Sequence, residues 1–373
     1  MLHHQNIFTL SLQDTLVIKG IAIVAMICHH VLQYPSHGVE YTGVLYAIGV
    51  LGKVCVALFL FCSGYGLTVQ YQKRVCESST GGGDNVINSI RFVLNRLAKF
   101  YASYWPVFVV FVPITIFCFD RSLVDAYGEN MNVVRRLVYD FMGLQGWKSY
   151  NTTWWFNKLI IILYLVFPLM YHIIRKLPWT ALVISCLLMW NYNRIHWVSF
   201  SDILIYQFPF VLGILWNMKE DAMNMVSEWV KRYKYIALLI LLTMVGVCIV
   251  HRLYRVIPSL VTETQFDGFF VLCIVLSILY MIRVFPNKYM LKAISFVGVH
   301  SVNMYLVHTF LQVYWGGVSK ILYSKWLGAE FGVNAVVLIL LSLLLSMAIE
   351  WVKKVIGWNA LVEKMIQLLR IKI

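Results

Sequence analysis

The sequence predicts an all-α polytopic membrane protein, a bundle of about ten transmembrane helices. Of its 373 residues, 60% are hydrophobic and only 13% are charged, about half the charged fraction of roughly 25% that is usual in soluble domains. The apolar residues come in runs of about 20, the length that crosses the hydrocarbon core of a bilayer. This number of charges would not cover the surface of a soluble domain of this size. The composition therefore excludes a soluble globular protein.

The apolar runs define ten predicted spans. They are approximately 16–34, 47–69, 101–119, 156–174, 179–192, 203–218, 235–250, 268–285, 299–322 and 333–352. The fifth run is short and contains Asn191, which leaves nine or eleven spans open. We interpret residues 1–352 as one transmembrane domain. Residues 353–373 alternate apolar and basic side chains, which is typical of a cytoplasmic amphipathic tail.

The basic residues indicate the orientation of the bundle. The chain has 31 Lys and Arg against 17 Asp and Glu, a formal charge of +14. With a cytoplasmic N-terminus, about twice as many basic residues fall in cytoplasmic loops as in external ones, which predicts that both termini are cytoplasmic. The basic residues do not form one polar face, so we expect anionic lipid and not nucleic acid to face them.

Two predicted loops differ from short connections. Residues 76–88 include Gly81-Gly82-Gly83 and are predicted to be a flexible cytoplasmic link. Residues 120–153 form the largest external loop, and an amphipathic stretch near 133–144 within it is suited to the membrane surface.

The first span contains ionisable residues, which are costly inside a membrane and therefore candidates for function. Lys19 and His30 are eleven residues apart, which places them about 20° apart on one helix face, whereas His29 points about 80° away. An imidazole near its working pKa can remove a proton from a hydroxyl. The alternative is that the His29-His30 pair only hydrogen-bonds to neighbouring helices.

Two further groups of polar residues are candidates for the same site. Arg91, Arg96 and Lys99 precede the third span, where they are suited either to phosphate binding or to ordinary topology anchoring. Ser301, Tyr305, His308 and Gln312 follow at spacings of four, three and four, which predicts a polar stripe lining a cavity or bonding to another helix.

Two motifs at span ends have a structural interpretation as well as a functional one. Ser63 belongs to the SGYG sequence at residues 63–66, whose small residues favour close helix packing. Trp154 lies at the start of the fourth span, where Trp is expected in the interfacial belt. The cysteines show no metal-ligand spacing, so no metal is predicted.

In this order, the motifs resemble the integral-membrane acyltransferase-3 family, which includes bacterial polysaccharide and lipopolysaccharide O-acetyltransferases. The resemblance rests on Lys19 and His30, on the second-span ending from Phe59 to Tyr65, on the Arg96 and Lys99 pair, on TWWF at 153–156 and on SVNMYLVHTF at 301–310. The chain departs from the family at Ala57, where many members carry an acidic residue, at Asn157, and in having an Arg-Lys basic pair.

The resemblance implies transfer of an acyl group, usually acetyl, from cytoplasmic acyl-CoA to a hydroxyl of a cell-surface polysaccharide or lipid-linked glycan. By the same resemblance His30 would be the catalytic His, and Lys19 would replace the common Arg of the first-span motif. His29 is the other candidate for the base. Arg96, Lys99 and Arg91 would bind CoA. Ser63, Ser301, Tyr305, His308, Gln312 and Trp154 would line the cavity.

The implied location is the bacterial inner membrane, with glycan-assembly proteins as partners and no permanently bound cofactor. The main alternative is a transporter or flippase of a lipid-linked sugar that uses the same His and Lys residues as a proton relay. A non-catalytic subunit of a polysaccharide assembly complex is the third interpretation.

Overall fold

The computed structural model describes residues 8–76, 84–129, 132–191, 201–254 and 263–372, and the regular structure within these ranges is helical. The α-helices in chain order are α1 (Leu12–Gln33), α2 (Gly43–Gly52), α3 (Cys55–Tyr71), α4 (Asp84–Cys118), α5 (Leu123–Tyr127), α6 (Val133–Phe141), α7 (Trp155–Lys176), α8 (Pro178–Trp190), α9 (Ser201–Met218), α10 (Glu220–Arg232), α11 (Lys234–Tyr254), α12 (Glu263–Val284), α13 (Lys288–Thr309), α14 (Gly316–Leu322), α15 (Val333–Val355) and α16 (Trp358–Lys372). Residues 77–83, which include most of the predicted flexible link, lie outside the described residues.

The membrane-spanning character of the chain is confirmed. Within the described ranges, eight helical segments are long and apolar enough to cross a membrane. Two shorter apolar helices, Pro178–Trp190 and Asp202–Met218, correspond to the fifth and sixth predicted spans. The polytopic all-α class predicted from the apolar runs is therefore correct.

Two predicted spans have different bounds in the structure. Helix α4 begins at Asp84, not near 101, and at 35 residues it is about 52 Å long against a hydrocarbon core of about 30 Å. Helix α13 begins at Lys288, not near 299, and ends at Thr309. A π-helical turn, Phe310–Tyr314, follows before α14. In both helices polar residues continue the helix beyond the apolar run, which a search for apolar runs does not detect.

The described residues separate into two compact units. Unit 1 comprises the described parts of 1–33, 42–70 and 169–299, and unit 2 those of 34–41, 71–168 and 300–373.

Unit 1 is held together by close helix crossings and buried ion pairs. Gly64 of α3 and Gly213 of α9 meet reciprocally, since a Cβ on either would lie 2.1 Å from a carbonyl oxygen of the other helix, at Phe210 or Phe61. Arg252 of α11 pairs with Asp267 of α12 at 2.5 Å, and both side chains are almost fully buried. These contacts fix the helices of unit 1 at specific positions along their axes.

Unit 2 has an aromatic core. Its buried members come from α4, the 120–154 segment, α13 and the π-helical turn after it, and they include Tyr104, Phe108, Tyr150, Trp154 and Phe310. Trp154 packs edge-on against Tyr104 at a ring distance of 5.1 Å. Because such rings bury large areas in specific geometries, they fix the segment before α7 against the helices of this unit.

The predicted amphipathic tail is helical from Trp358, as α16, and it packs against α4. The indole Nε1 of Trp358 donates to the carbonyl of Ala102 at 2.8 Å. That carbonyl has no ordinary helical donor four residues on, because residue 106 is Pro and has no N–H. Trp358 therefore satisfies a carbonyl that Pro106 leaves without its intrahelical partner.

Candidate active site

The first helix is continuous through both histidines and the lysine. Lys19, His29 and His30 all lie within α1 (Leu12–Gln33), so the helical spacing on which the face argument rests is present. Lys19 and His30 are half-buried, whereas His29 is buried. The helix thus presents Lys19 and His30 along one side of unit 1.

His29 is held by helix α2. Its Nδ1 lies 2.7 Å from the carbonyl oxygen of Gly49. A carbonyl only accepts hydrogen bonds, so Nδ1 carries the proton and Nε2 carries the lone pair of the neutral ring. This fixes the tautomer of His29, and the ring of His30 lies 5.5 Å away, centroid to centroid.

Helix α2 packs closely against α1 beside His29. A Cβ on Gly52 would lie 2.4 Å from the carbonyl oxygen of Ala25 and 3.1 Å from the Cβ of His29. No side chain larger than that of glycine fits there without moving one of the two helices. The close approach brings the Gly49 carbonyl to His29.

Ser63 is half-buried on α3. Its neighbour Gly64 makes the close crossing with α9, as the packing interpretation of SGYG expects. Lys19 lies within electrostatic range of Cys62 on α3. Unit 1 contains four of the candidate residues, namely Lys19, His29, His30 and Ser63.

The three basic candidates lie on the N-terminal half of α4, in unit 2. Arg91 and Arg96 are half-buried and Lys99 is exposed. The guanidinium of Arg96 lies over the ring of Phe92 at 5.3 Å. The Nε of Arg91 is buried and makes no hydrogen bond, an arrangement that an anionic ligand would relieve.

The polar stripe predicted near the end of the chain lies in α13 only as far as His308. Ser301 and His308 are buried and Tyr305 is half-buried. The hydroxyl of Tyr305 donates to the carbonyl of Thr153 at 2.9 Å, and it lies 3.2 Å from Oδ1 of Asn157. Tyr305 therefore joins α13 to the start of α7.

Gln312 falls in the π-helical turn, so the regular α-helical spacing of the stripe is interrupted before it. Its Nε2 lies 3.3 Å from the carbonyl oxygen of Tyr34 and 3.1 Å from the hydroxyl of Tyr323. A π turn adds a residue to the helical repeat, and the sequence spacing gives no sign of it.

Trp154 lies in the aromatic core of unit 2. It is 1% exposed, and its Nε1 donates to the carbonyl of Leu306 at 3.2 Å. The next residue, Trp155, is the first residue of α7 and is half-buried. Its ring stacks on that of Trp147 at a centroid distance of 4.4 Å.

His308 lies at one end of a short chain of polar groups. Its Nδ1 lies 2.9 Å from the carbonyl oxygen of Tyr305, and its Nε2 lies 3.2 Å from the hydroxyl of Thr309. Thr309 in turn contacts the hydroxyl of Thr153 at 3.1 Å, and the Thr153 hydroxyl donates to Oδ1 of Asn151 at 2.7 Å. The sequence stripe identified His308 but neither threonine nor Asn151.

Asp140 is the acidic residue that the sequence interpretation missed. It lies in the last turn of the amphipathic helix α6 and is fully buried. Its carboxylate accepts hydrogen bonds from the Tyr127 hydroxyl at 2.8 Å and from the Tyr150 N–H. The hydroxyl of Tyr104 donates to its backbone carbonyl at 2.6 Å. Burial raises the pKa of Asp140 to about 6, although these hydrogen bonds oppose the rise.

Within the described ranges, no three His, Cys, Asp or Glu side chains lie close enough together to hold a metal ion.

These features define a class: a multi-pass helical membrane protein with histidines buried in or beside its apolar spans. The chain belongs to the acyltransferase-3 family, since the model of that family, described as an acyltransferase domain, matches residues 17–352. The match runs from α1 through α15 and ends before α16. No match was found among curated proteins or among solved structures.

Proposed function

We propose that this membrane acyltransferase moves an acyl group, usually acetyl, from acyl-CoA to a hydroxyl of a cell-surface polysaccharide or lipid-linked glycan. The family membership supports the acyltransferase class. The observation that carries the proposal is the continuity of α1, which holds Lys19 and His30 at the spacing of the family's first-span motif. Family membership gives no support to the transporter interpretation.

The donor is proposed to bind through the basic residues of α4. CoA carries phosphates, which charge-assisted hydrogen bonds from Arg and Lys hold well. Arg96 and Lys99 lie one helical turn apart, and the buried Nε of Arg91 has a hydrogen bond to give. The length of α4 beyond the thickness of a bilayer core provides a place for these residues outside the hydrocarbon.

His30 is proposed as the general base. It accepts the proton of the acceptor hydroxyl as the oxygen attacks the thioester carbonyl, the C–O bond forms, and the C–S bond breaks. The thiolate of CoA leaves and takes up a proton, so that the products are an ester and free CoA. An acyl-enzyme with two half-reactions gives the same balance.

His29 is the competing base. The Gly49 carbonyl holds its ring in a single tautomer with the lone pair on Nε2, which is the form that a base requires. In the proposal His29 instead fixes the end of α1 against α2, and His30 performs the proton transfer.

The remaining elements of the proposal concern location. The protein is proposed to lie in the bacterial inner membrane with both termini in the cytoplasm and to act with glycan-assembly proteins. Acyl-CoA is a co-substrate, and no permanently bound cofactor is required. The excess of basic residues in the assigned cytoplasmic loops supports this orientation.

The base assignment is tested by consumption of labelled acetyl-CoA and by transfer of label to crude glycan, with the protein purified in detergent. We expect His30→Ala to lower turnover by roughly 10² to 10⁴, the usual contribution of a general base. His172→Ala is the matched control, because His172 is an exposed histidine on α7. Loss of activity in His29→Ala with normal activity in His30→Ala would assign the base to His29.

The donor site is tested separately by acetyl-CoA binding. Arg96→Ala and Lys99→Ala are expected to raise the apparent KM for acetyl-CoA. We expect a smaller rise in the KM for an analogue of acetyl-CoA that lacks the adenosine and the nucleotide phosphates. Lys176→Ala, an exposed lysine at the end of α7, serves as the control. Equal KM values in all three variants would remove α4 from the donor site.

A further inference from the structure

We propose that the hydroxyls of Thr309 and Thr153 form a proton relay that connects the buried His308 to solvent. The relay lies wholly within unit 2 and ends at the start of α7. Its role during turnover rests on the proposed function, but its existence as a proton path does not. Thr309 and Thr153 act through His308 and are positioning residues.

The hydrogen bonds at His308 assign its protons to particular ring nitrogens. Its Nδ1 faces two backbone carbonyls, those of Tyr305 at 2.9 Å and Met304 at 3.2 Å. Carbonyls only accept, so Nδ1 carries a proton in every protonation state of the ring. Any proton that His308 gains or loses is therefore on Nε2, the atom that faces the hydroxyl of Thr309 at 3.2 Å.

The relay has one proton fewer than it has contacts when His308 is neutral. Three contacts follow one another, from His308 to Thr309, from Thr309 to Thr153, and from Thr153 to Oδ1 of Asn151. Each contact needs one proton, and each threonine hydroxyl provides only one. When Nε2 of His308 has no proton, only two of the three contacts can be hydrogen bonds. When Nε2 has a proton, all three contacts are hydrogen bonds.

The two states are connected by proton transfers along the chain. Before a transfer to the neutral ring, the Thr153 hydroxyl turns from Oδ1 of Asn151 to donate to Thr309, and Thr309 donates to Nε2. Oδ1 of Asn151 still accepts from the N–H of Thr153 at 3.1 Å. A proton that reaches the oxygen of Thr153 from water displaces the Thr153 proton to Thr309 and the Thr309 proton to Nε2. The incoming proton then donates to Asn151, so atoms and charge balance.

Burial makes this path necessary. His308 is 0% exposed and Thr309 is 5% exposed, whereas Thr153 is half-buried. In the proposal, the half-buried Thr153 is the end of the relay at which a proton from water enters. Asn151, which is also fully buried, does not exchange the proton, but it fixes the orientation of the Thr153 hydroxyl. Buried proton paths of this kind accompany intramembrane histidines that change protonation state.

In the proposed transfer, the acceptor hydroxyl loses a proton and the CoA thiolate gains one. A buried histidine in contact with solvent through a relay exchanges a proton with water during each cycle without opening the helices. The relay therefore sets the rate at which His308 exchanges a proton with water during turnover.

The relay is tested first without activity. In protein labelled with ¹⁵N-histidine, the His308 ring signals are assigned by their loss in His308→Asn, and exchange of the Nε2 proton with water is followed by NMR at a pH at which the ring carries that proton. We expect Thr309→Val to abolish this exchange on the time scale of the wild type and Thr309→Ser to restore it. Thr152→Val, at a hydroxyl that contacts Tyr314 and not the relay, is the matched control.

Activity provides the second readout. Thr309→Val is expected to lower kcat by at least roughly tenfold, part of the usual contribution of acid–base catalysis, and to change the pH profile and the solvent isotope effect, whereas Thr309→Ser retains both. Thr153→Val replaces Thr309→Val if the latter does not fold. Unaltered His308 exchange in folded Thr309→Val and Thr153→Val overturns the relay. Slowed exchange in a protein that consumes no acyl-CoA supports the relay and overturns the proposed function.

Discussion

The burial of Asp140 makes a specific prediction about pH and the segment that contains α5 and α6. Its pKa is about 6 in the folded protein against an ordinary value of 3.8, because burial disfavours the charged carboxylate. A raised pKa means that the folded segment binds the proton more tightly than the open segment does. The segment is therefore more stable when Asp140 is protonated, and this stability is lost as the pH rises toward and through 6.

The magnitude follows from the two pKa values. The full difference is about 3 kcal/mol, but it is reached only below pH 3.8. Between pH 7.5 and pH 5 the gain is about 1.4 kcal/mol, which is a factor of about 10 in the equilibrium between closed and open segments. The contacts that open are those of Asp140 with Tyr127, Tyr150 and Tyr104.

The assay is hydrogen–deuterium exchange of peptides from 121–150, corrected for the intrinsic effect of pH on amide exchange. We expect wild type to be about tenfold better protected at pH 5 than at pH 7.5, and Asp140→Asn to lose this difference. Asp125→Asn is the control, because Asp125 is exposed and hydrogen bonds from Ser122 lower its pKa, so it does not titrate in this range. Protection in wild type that is equal at the two pH values, or lower at pH 5, would refute the reasoning.

Two further predictions concern helix packing, and both are measured by thermal unfolding in detergent. Gly64→Ala places a Cβ 2.1 Å from the Phe210 carbonyl oxygen, so we expect it to lower the free energy of unfolding by about 1–3 kcal/mol. The Cβ of Gly66→Ala meets nothing within 4 Å, so we expect this variant to stabilise α3 by up to about 1 kcal/mol. Equal effects of the two substitutions would contradict the close crossing of α3 and α9. Trp358→Phe is expected to lower the free energy of unfolding by about 1 kcal/mol. The loss is expected to be smaller in the Pro106→Ala background, where the N–H of residue 106 donates to the carbonyl of residue 102. Additive losses would show that the indole does not compensate for the proline.

The sequence was sufficient for the class of fold. Apolar runs of bilayer length require backbone hydrogen bonds within each segment, so they indicate helices directly. The amphipathic stretch near 133–144 and the tail after 352 are both helical, as α6 and α16. These elements were predicted because periodicity within one segment determines them.

The sequence did not predict features that depend on contacts between distant segments. Trp154 packs in the core of unit 2, where its Nε1 donates to the carbonyl of Leu306, a partner that no pattern near residue 154 indicates. Asp140 was overlooked because its partners, Tyr127 and Tyr150, are ordinary tyrosines in the sequence. The π-helical turn at Phe310–Tyr314 changes the register after His308 without a Pro or Gly to indicate it.

The candidate site was predicted in part. The spacing of Lys19 and His30 gave their shared helix face, and α1 is continuous between them. The hydrogen bond from His29 to Gly49 depends on α2, and the chain from His308 through Thr309 to Thr153 depends on the start of α7. Spacing along one helix does not contain either contact. The roles of these residues in catalysis stay predictions.

The central claim is that His30 takes the proton of an acceptor hydroxyl in acyl transfer from CoA. The measurement that tests it most directly is the turnover of labelled acetyl-CoA by wild type and by His30→Ala in the same detergent, with glycan acceptor present. The account predicts turnover in wild type and a loss of roughly 10² to 10⁴ in the variant. Equal turnover in folded wild type and folded His30→Ala would contradict it.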